Sequence, residues 1–342
     1  MFDRPIDRRR ALAATAAFAA GALAVPSSFA LAADDRRALR YLTPFGFILG
    51  FAEVMYADTG GFFDKQGLDI TVQGGRGSAM AVQQVTAGNV LLSRTGGTDL
   101  IKAYAKDPTV VAIAEIYQRG AFFVISSGDK SVKSPTGMAG KTVGIVSTGG
   151  ATENLLDMML AAADIPSDQV KREPVGNAPS AFELVKLGRI DAFIATADTV
   201  FQLETDKQPV FTWPTDDHAP APAQVYMTSK VNLEKETETL AKFLRAVHAA
   251  LGDMIAKQND LAPVLTSMTA KYEIVEVKGS DKGAAILKHA LDQTFKPPYR
   301  DKLASDPKQW ASAYELMVKA KIVSPMHDRD FYDDRVRKIA FG

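Results

Sequence analysis

Residues 58–70 read DTGGFFDKQGLDI and join a predicted helix to a predicted strand. The helix ends at Gly60 or Gly61, because glycine readily adopts the left-handed conformation that closes a helix. Phe63 supplies an apolar side chain that packs the turn, and Gly67 permits a left-handed bend into the strand LDITVQG. The stretch therefore predicts a helix–turn–strand unit, and the segments on either side of it can be assigned from this unit.

Strand-like and helix-like segments alternate around this unit. Gly88 stands where a helix C-cap is expected. Alternation of strands and helices of these lengths favours a parallel, doubly wound sheet. The predicted strands lie at 38–43, 68–74, 89–94 and 109–117, and the predicted helices at 47–67, 78–88 and 98–107.

A second α/β unit of similar size begins after residues 118–120. Its strands are predicted at 121–127, 141–146, 170–176, 190–196 and 209–213, and its helices at 151–164 and 178–188. The Pro-rich stretch 214–223 reads as a connector, and 224–230 as one more strand. Helical spacing dominates from Val231 onward. Two α/β units joined by two chain crossings, with a helical tail, predict a two-lobed binding protein.

The first 33 residues have the pattern of an export signal. Three arginines (8–10) precede an apolar run (11–25), and small residues follow. We expect cleavage near Ala32 or Ala33, a periplasmic mature protein, and no transmembrane segment in it, because no later run is long enough. The arginine pair resembles a twin-arginine signal, and a Sec signal or an N-terminal anchor is the alternative.

The composition excludes several classes of protein. The chain has 342 residues, of which 40 are basic and 40 acidic, and this balance gives no reason to expect nucleic acid as a partner. It has no Cys, which excludes disulfides, Cys-ligated zinc and thiol catalysis. The four His are scattered, so we predict no metal site, no cofactor and no catalytic residues.

An ordered set of short motifs carries a resemblance to a known family. The stretch at 58–70 is similar to the first helix–turn–strand of the SsuA/THI5-like (NMT1-like) periplasmic substrate-binding proteins. Three further stretches agree with that family in the same order, and the likeness covers roughly 38–230. These stretches read AVQQVTAGNVLLS, KSPTGMAGKTVGIVS and AFELVKLGRIDAFIA.

The resemblance implies an α/β fold of the type II periplasmic-binding-protein class, with two doubly wound sheets and a hinge. The C-terminal helices are expected on the first lobe. We predict a first lobe from 34–118 and 224–342, and a second lobe from 119–223.

Three Gly-rich junctions stand between predicted strands and helices, at 74–80, 94–100 and 147–152. None has the ending of a P-loop or the spacing of a dinucleotide-binding motif, so a nucleotide site is not predicted. Simple helix capping is the alternative to ligand contact here. The candidate ligand-binding residues at these junctions are Gly77, Ser78, Thr95, Gly96, Thr98, Thr148, Gly149, Gly150 and Thr152.

Aromatic and arginine side chains complete the candidate site. Phe45 and Phe47 follow the first strand and could stack on a flat ligand or pack the first helix. Tyr117 closes the fourth strand at the predicted hinge, where a core tyrosine is the alternative. An anionic ligand would favour an arginine as a bidentate donor, although each could be solvated. The arginine candidates are Arg76, Arg94 and Arg119.

Together with these patterns, the resemblance implies a monomeric, non-enzymatic solute-binding component of an ABC importer that closes around a small molecule and delivers it to a permease. The ligands implied by the resemblance are a thiamine-precursor-like pyrimidine, a sulfonate or an aromatic acid. Two alternatives stay open. One is a THI5-like pyrimidine synthase, and the other is a periplasmic partner that presents its ligand to a sensor.

Overall fold

The structure, a computed structural model, describes residues 38–118, 120, 122–277 and 282–342. The predicted export signal and Arg119 lie outside these residues. Within the described ranges, every helix is too short or too polar to cross a membrane.

Ten strands are described, and they form two separate five-stranded sheets. In chain order they are β1 Ala38–Thr43, β2 Asp69–Gly74, β3 Leu92–Thr95, β4 Val110–Tyr117, β5 Phe122–Ser127, β6 Thr142–Ile145, β7 Lys171–Pro174, β8 Ala192–Thr196, β9 Val210–Pro214 and β10 Gln224–Ser229. The first sheet has the order β2-β1-β3-β10-β4, and the second has the order β7-β6-β8-β5-β9. Each sheet carries one lobe of an α/β fold, as predicted.

Both sheets are mixed rather than wholly parallel, which corrects the sequence expectation. In the first sheet β10 is antiparallel to β3 and β4, and in the second β5 is antiparallel to β8 and β9. Both strands directly follow a crossing between the lobes. Gln224 at the start of β10 pairs with Tyr117 at the end of β4, and Phe122 at the start of β5 pairs with Thr196 at the end of β8. A strand that begins where its neighbours end must run against them.

The helices up to the second crossing follow the predicted alternation with one addition. They are α1 Ala52–Thr59, α2 Phe62–Lys65, α3 Ser78–Thr86, α4 Gly97–Lys106, α5 Ala151–Ala162, α6 Ala181–Lys186 and α7 Ala197–Thr205. The helix predicted to end at Gly60 or Gly61 consists of a 3₁₀ turn (Leu49–Phe51) and α1. Gly61 then takes the left-handed conformation (φ 72°), and the predicted turn after it contains the short helix α2. The addition is α7, which the sequence analysis did not predict.

The C-terminal helices pack on the first lobe and also reach the second. They are α8 Lys230–Lys235, α9 Thr237–Ala256, α10 Ala262–Thr269, α11 Gly283–Ala290, α12 Lys296–Arg300, α13 Pro307–Lys319 and α14 Arg335–Phe341. The long helix α9 packs against α1, α2 and α14, whereas α11 contacts α7 and α13 contacts α5. The rings of His289 and Phe201 stack at 4.2 Å, and Lys319 pairs with Asp164 at 3.0 Å.

The central strands fix the position of the site. Every residue of β3, β4 and β8 is buried, as expected for strands covered by helices on both faces. The carboxyl ends of β1, β3 and β4 in the first lobe and of β6 and β8 in the second face the boundary between the lobes. Side chains at these ends therefore meet across the boundary, where an open α/β sheet binds its ligands.

Candidate functional site

A cleft of about 590 Å³ lies between the two lobes. Phe45 and Arg76 line it from the loops after β1 and β2, and Ser147 and Asn177 line it from the loops after β6 and β7. Glu276, from the segment between α10 and α11, completes the wall. The cleft is thus built by strand-end loops of both sheets together with one C-terminal segment.

A second, much smaller space lies beneath this cleft, and we call it the inner chamber. It measures about 10 Å³ and is lined by Arg94, Tyr117, Asp198 and Gln224, among others. Ile48 and Phe45 line both spaces, so the chamber adjoins the cleft. Its walls come from β3 and β4 of the first lobe, from α7 of the second lobe and from the start of β10.

Arg94 is held rigidly within the first lobe. It is fully buried, and its Nη1 donates to Oε1 of Glu53 at 2.9 Å and to the carbonyl oxygen of Gly50 at 2.8 Å. The guanidinium carbon lies 4.0 Å from the ring centroid of Tyr117 and 4.7 Å from that of Phe51. The charge of Arg94 is therefore balanced before any ligand arrives.

Several polar atoms around the chamber have no hydrogen-bond partner among the described residues. They are Nε and Nη2 of Arg94, Oδ1 of Asp198, both amide atoms of Gln224, and Oγ1 of Thr95. Arg94, Asp198 and Gln224 are exposed by 0%, 5% and 2%, so bulk water does not satisfy them. An unpaired buried polar group costs about 1–3 kcal/mol, and folded proteins rarely keep several together without a purpose. The chamber is built to receive a polar group.

Two carboxyl groups at this site titrate near neutral pH. Burial raises the pKa of Asp198 to about 7, against the opposing attraction of Arg94. Burial, reinforced by the charge of Asp198, raises the pKa of Glu276 to about 7, although the backbone N–H of Leu49 donates to Glu276 at 3.3 Å. Perturbed carboxyls in a cleft mark candidate functional groups. Ionisation of either one adds negative charge to the site.

The Gly-rich junctions bring the lobes into contact with each other. Nδ2 of Asn154 on α5 donates to Oδ1 of Asp99 on α4 at 2.7 Å, and Lys102 donates to Oδ1 of Asn154 at 3.2 Å. The backbone N–H of Ala151 donates to Oγ of Ser78 at 3.4 Å. Burial raises the pKa of Asp99 to about 7, against the hydrogen bond from Ser78 and the charge of Lys102. The helix N-termini thus form a polar contact between the two lobes.

Gly96 and Gly77 lie so close to the opposite lobe that little or no space is left for a side chain at either position. A Cβ on Gly96 would lie 2.7 Å from Cβ of Ala151 in the opposite lobe. A Cβ on Gly77 would lie 3.1 Å from Oγ of Ser147, and Gly77 also has a φ of 141°. These glycines permit the backbones of the two lobes to approach.

The candidate residues of the sequence analysis occupy several different places. Phe45, Arg76 and Gly77 line the cleft, and Arg94 and Tyr117 line the inner chamber. Ser78, Gly96 and Gly150 lie at the contact between the lobes, and Thr95 is buried beside the chamber residue Arg94. Thr98 lines a small cavity at the crossings.

The remaining candidates lie away from the cleft. Thr148 and Gly149 border a separate groove beside α3 and α4. Oγ1 of Thr152 accepts from the backbone N–H of Val146 at 2.9 Å, which ties the start of α5 to the end of β6. Phe47 packs against Tyr272 with ring centroids 4.8 Å apart. Whether any candidate touches ligand stays a prediction.

Sequence reasoning missed the residues that give the site its polarity. Asp198 directly follows a buried strand and opens a helix, the same pattern that was used for the Gly-rich junctions, so it carried a usable signal. Gln224 follows the Pro-rich connector and could have been noted as the first residue beyond a crossing. Glu53 and Glu276 carry no local signal, because only the fold brings them to this place.

Comparison with known proteins agrees with this architecture. A protein-family model described as NMT1/THI5 like matches residues 49–260. A formylaminopyrimidine-binding protein of Halalkalibacterium halodurans is 27% identical over 213 residues, which are 60% of this chain and 62% of that protein. The match thus spans somewhat less than two thirds of the length of this relative.

Solved structures show the same fold at low sequence identity. A protein from Bordetella bronchiseptica RB50 superposes with a TM-score of 0.71 at 17% identity, over 89% of this chain and 96% of that chain. The periplasmic aliphatic sulphonate binding protein SsuA from Escherichia coli superposes with a TM-score of 0.62 at 17% identity, over 88% and 91%. The fold is that of the periplasmic binding proteins, which confirms the resemblance drawn from residues 58–70. On the match at 49–260, this chain belongs to the NMT1/THI5-like family.

Proposed function

We propose that this protein is the solute-binding component of an ABC importer, exported to the periplasm, where it captures a small organic molecule between its lobes. The observation that carries the proposal is the inner chamber. Arg94 of the first lobe and Asp198 of the second both line it, and each has buried polar atoms without a hydrogen-bond partner among the described residues. A ligand that satisfies both would join the lobes, and closure around a ligand is how such two-lobed proteins work.

Two further observations support binding without chemistry. The chain has no Cys, whereas the THI5-like synthases that share this fold use a Cys-rich iron-binding motif and a His. Three histidines pack against aromatic rings: His218 against Trp213, His289 against Phe201, and His248 against Tyr299. None of these three lines the cleft. A binding role therefore accounts for the site better than a synthase does.

The proposed partner of the closed form is a permease, and the proposed state in solution is a monomer. A periplasmic partner that presents its ligand to a sensor is the second candidate, because the same closure would serve it. Loss of solute uptake after deletion of the permease would favour the importer, and unchanged uptake would favour the sensor.

A thermal-shift screen of the purified mature protein tests the proposal directly. The panel contains a formylaminopyrimidine, alkanesulfonates and aromatic acids, which represent the ligands named for the relatives and the aromatic character of Phe45 and Tyr117. A ligand present at a hundredfold excess over its Kd stabilises the folded state by about 2.7 kcal/mol, which is readily detected. Mass analysis of the ligand after incubation should show it unchanged. Chemical turnover would contradict a binding role, and the failure of every solute to bind would contradict the proposal as a whole.

A further inference from the structure

The residues that line the inner chamber carry both unpaired donors and unpaired acceptors. Nε and Nη2 of Arg94 can only donate, and Oδ1 of Asp198 accepts whenever the carboxyl is ionised. Gln224, at the start of β10, has an unpaired donor and an unpaired acceptor. All three side chains are at least nine-tenths buried, so whatever enters the chamber must satisfy them.

The charge of Arg94 is already balanced without a ligand. Arg94 and Glu53 form an ion pair at 2.9 Å in which both side chains are fully buried. An anionic ligand would therefore find no uncompensated cation, and it would face the carboxyls of Asp198 and Glu276. Adding an unpaired negative charge to a buried site costs several kcal/mol. This electrostatic arrangement opposes a sulfonate or a carboxylate at this position, in contrast to the role that the sequence analysis gave Arg94.

The groups that face Asp198 come from several elements. Arg94 and Tyr117 belong to the first lobe, and Glu276 belongs to the segment between α10 and α11. From α11, His289 packs against Phe201, about one turn further along α7. The strands β5, β8 and β9, which pack against α7, carry no ionisable side chain. Arg94 is therefore the cation to which Asp198 is coupled.

The sizes of the two spaces indicate how a ligand is divided between them. The chamber of about 10 Å³ is near the lower limit for one water molecule, whereas the cleft above it measures about 590 Å³. The body of a ligand therefore occupies the cleft, and only a small polar end reaches the chamber.

We propose that the inner chamber selects ligands that end in a neutral amide-type group, such as a carboxamide, a formamide or a ureido group. The carbonyl oxygen accepts from Arg94, the N–H donates to Asp198, and Gln224 bonds to either side. The inference rests on the proposed binding function and narrows its ligand class. Because the group bonds to both lobes, recognition of it and closure of the lobes are one event.

The inference predicts opposite pH dependences for neutral and anionic ligands. The ionised carboxylate of Asp198 accepts an amide N–H more strongly than the protonated acid does, so the affinity for an amide ligand should increase, by at most about tenfold, between pH 6 and pH 8, because the pKa of Asp198 is about 7. The ionised carboxyls of Asp198 and Glu276 repel an anion, so the affinity for an anionic ligand should decrease over the same range.

The experiment uses the mature protein and three matched sets of probes on pyridine, pyrimidine and benzene rings. Each ring carries a carboxamide, a carboxylate or a sulfonate at one position, and Kd is measured by calorimetry at pH 6 and pH 8. Asp198→Asn removes the titrating group with little change of shape, and Asp217→Asn, at an exposed site in the same lobe, is the matched control. Thermal unfolding verifies that both variants are folded.

We expect a carboxamide to bind more tightly than its acid and sulfonate counterparts at pH 8, with the pH effect reduced in Asp198→Asn, where only Glu276 still titrates, and kept in Asp217→Asn. Preference of the parent protein for an acid or a sulfonate at pH 8 would overturn the inference and leave the binding function intact. A pH effect that is undiminished in Asp198→Asn would overturn it as well. Binding of none of the probes, nor of any solute in the thermal-shift panel, would overturn both proposals.

Discussion

Replacement of Gly96 by alanine should hinder closure without disturbing either lobe. Gly96 has a φ of −71° and a ψ of 144°, which alanine adopts without strain. The added Cβ would lie 2.7 Å from Cβ of Ala151 across the boundary between the lobes, whereas its other neighbours stand at 3.5 Å or more. The first lobe therefore accommodates the methyl group, and only the approach of the second lobe is obstructed.

The size of the effect follows from this overlap. Carbon atoms pack comfortably at about 3.5–4.0 Å, so a separation of 2.7 Å forces the N-terminus of α5 to move back. Ala151 offers no flexible end that could turn aside, since its Cβ is attached to the helix backbone. Overpacking of this kind costs about 1–3 kcal/mol. The ratio of closed to open molecules should fall by about 5–150-fold, and the affinity for a ligand that requires closure should fall by the same factor.

Spin labels measure closure directly, because the chain has no Cys of its own. Labels at Thr71→Cys and Leu187→Cys, both exposed, report the distance between the lobes with and without the best-bound solute of the thermal-shift panel. Gly137→Ala is the matched control, since its Cβ would meet only Val132 Cγ1 at 3.8 Å. Equal closed fractions and equal affinities in Gly96→Ala and the parent, with both folded, would refute the argument.

Three further predictions concern stability and export. The pKa of Asp99 is about 7 in the folded protein and near 3.8 when unfolded, so its ionisation destabilises the fold as pH rises from about 4 to 7. The free energy of unfolding, measured with urea, should therefore decrease between pH 5 and pH 8 by about 2–3 kcal/mol less in Asp99→Asn than in the parent. An equal decrease in both proteins would contradict the argument that burial raises the pKa of Asp99. Glu53→Gln should lower the free energy of unfolding by about 3–5 kcal/mol, because it leaves Arg94 buried without its anion, and a change below 1 kcal/mol in the same assay would show that the pair is not buried as described. Lysines in place of Arg8 and Arg9 should block export if the signal is of the twin-arginine type, and normal periplasmic yield would indicate the Sec route.

Local features of the chain were predictable from the sequence because they depend on near neighbours. Gly67, Gly88 and Gly188 all have positive φ, at 67°, 71° and 68°, where the sequence placed a bend or a helix end. The order of strands and helices followed from the same local signals, apart from α7. That helix begins directly at the end of β8, with no glycine or proline between them to mark the change.

The direction of strands and the state of buried charges depend on distant partners and could not be predicted in this way. The reversal of β10 arises from a chain crossing, which leaves no mark on the strand's own residues. Arg94 was expected as an anion receptor, yet Glu53, 41 positions earlier, neutralises it. The hydroxyl of Thr152, a predicted ligand contact, accepts from the backbone of Val146, and this partner could not be read from the helix pattern. The polar character of the site therefore became visible only in three dimensions.

The contacts of α11 and α13 with the second lobe mean that the affinity of this protein can be adjusted from its outer surface. The stacked rings of His289 and Phe201, and the ion pair of Lys319 with Asp164, must rearrange if the lobes rotate apart. A substitution that weakens these contacts favours the open form, and the apparent affinity for a solute then falls in proportion to the closed population. Related proteins could thus acquire different retention times for one solute while keeping every residue of the cleft unchanged.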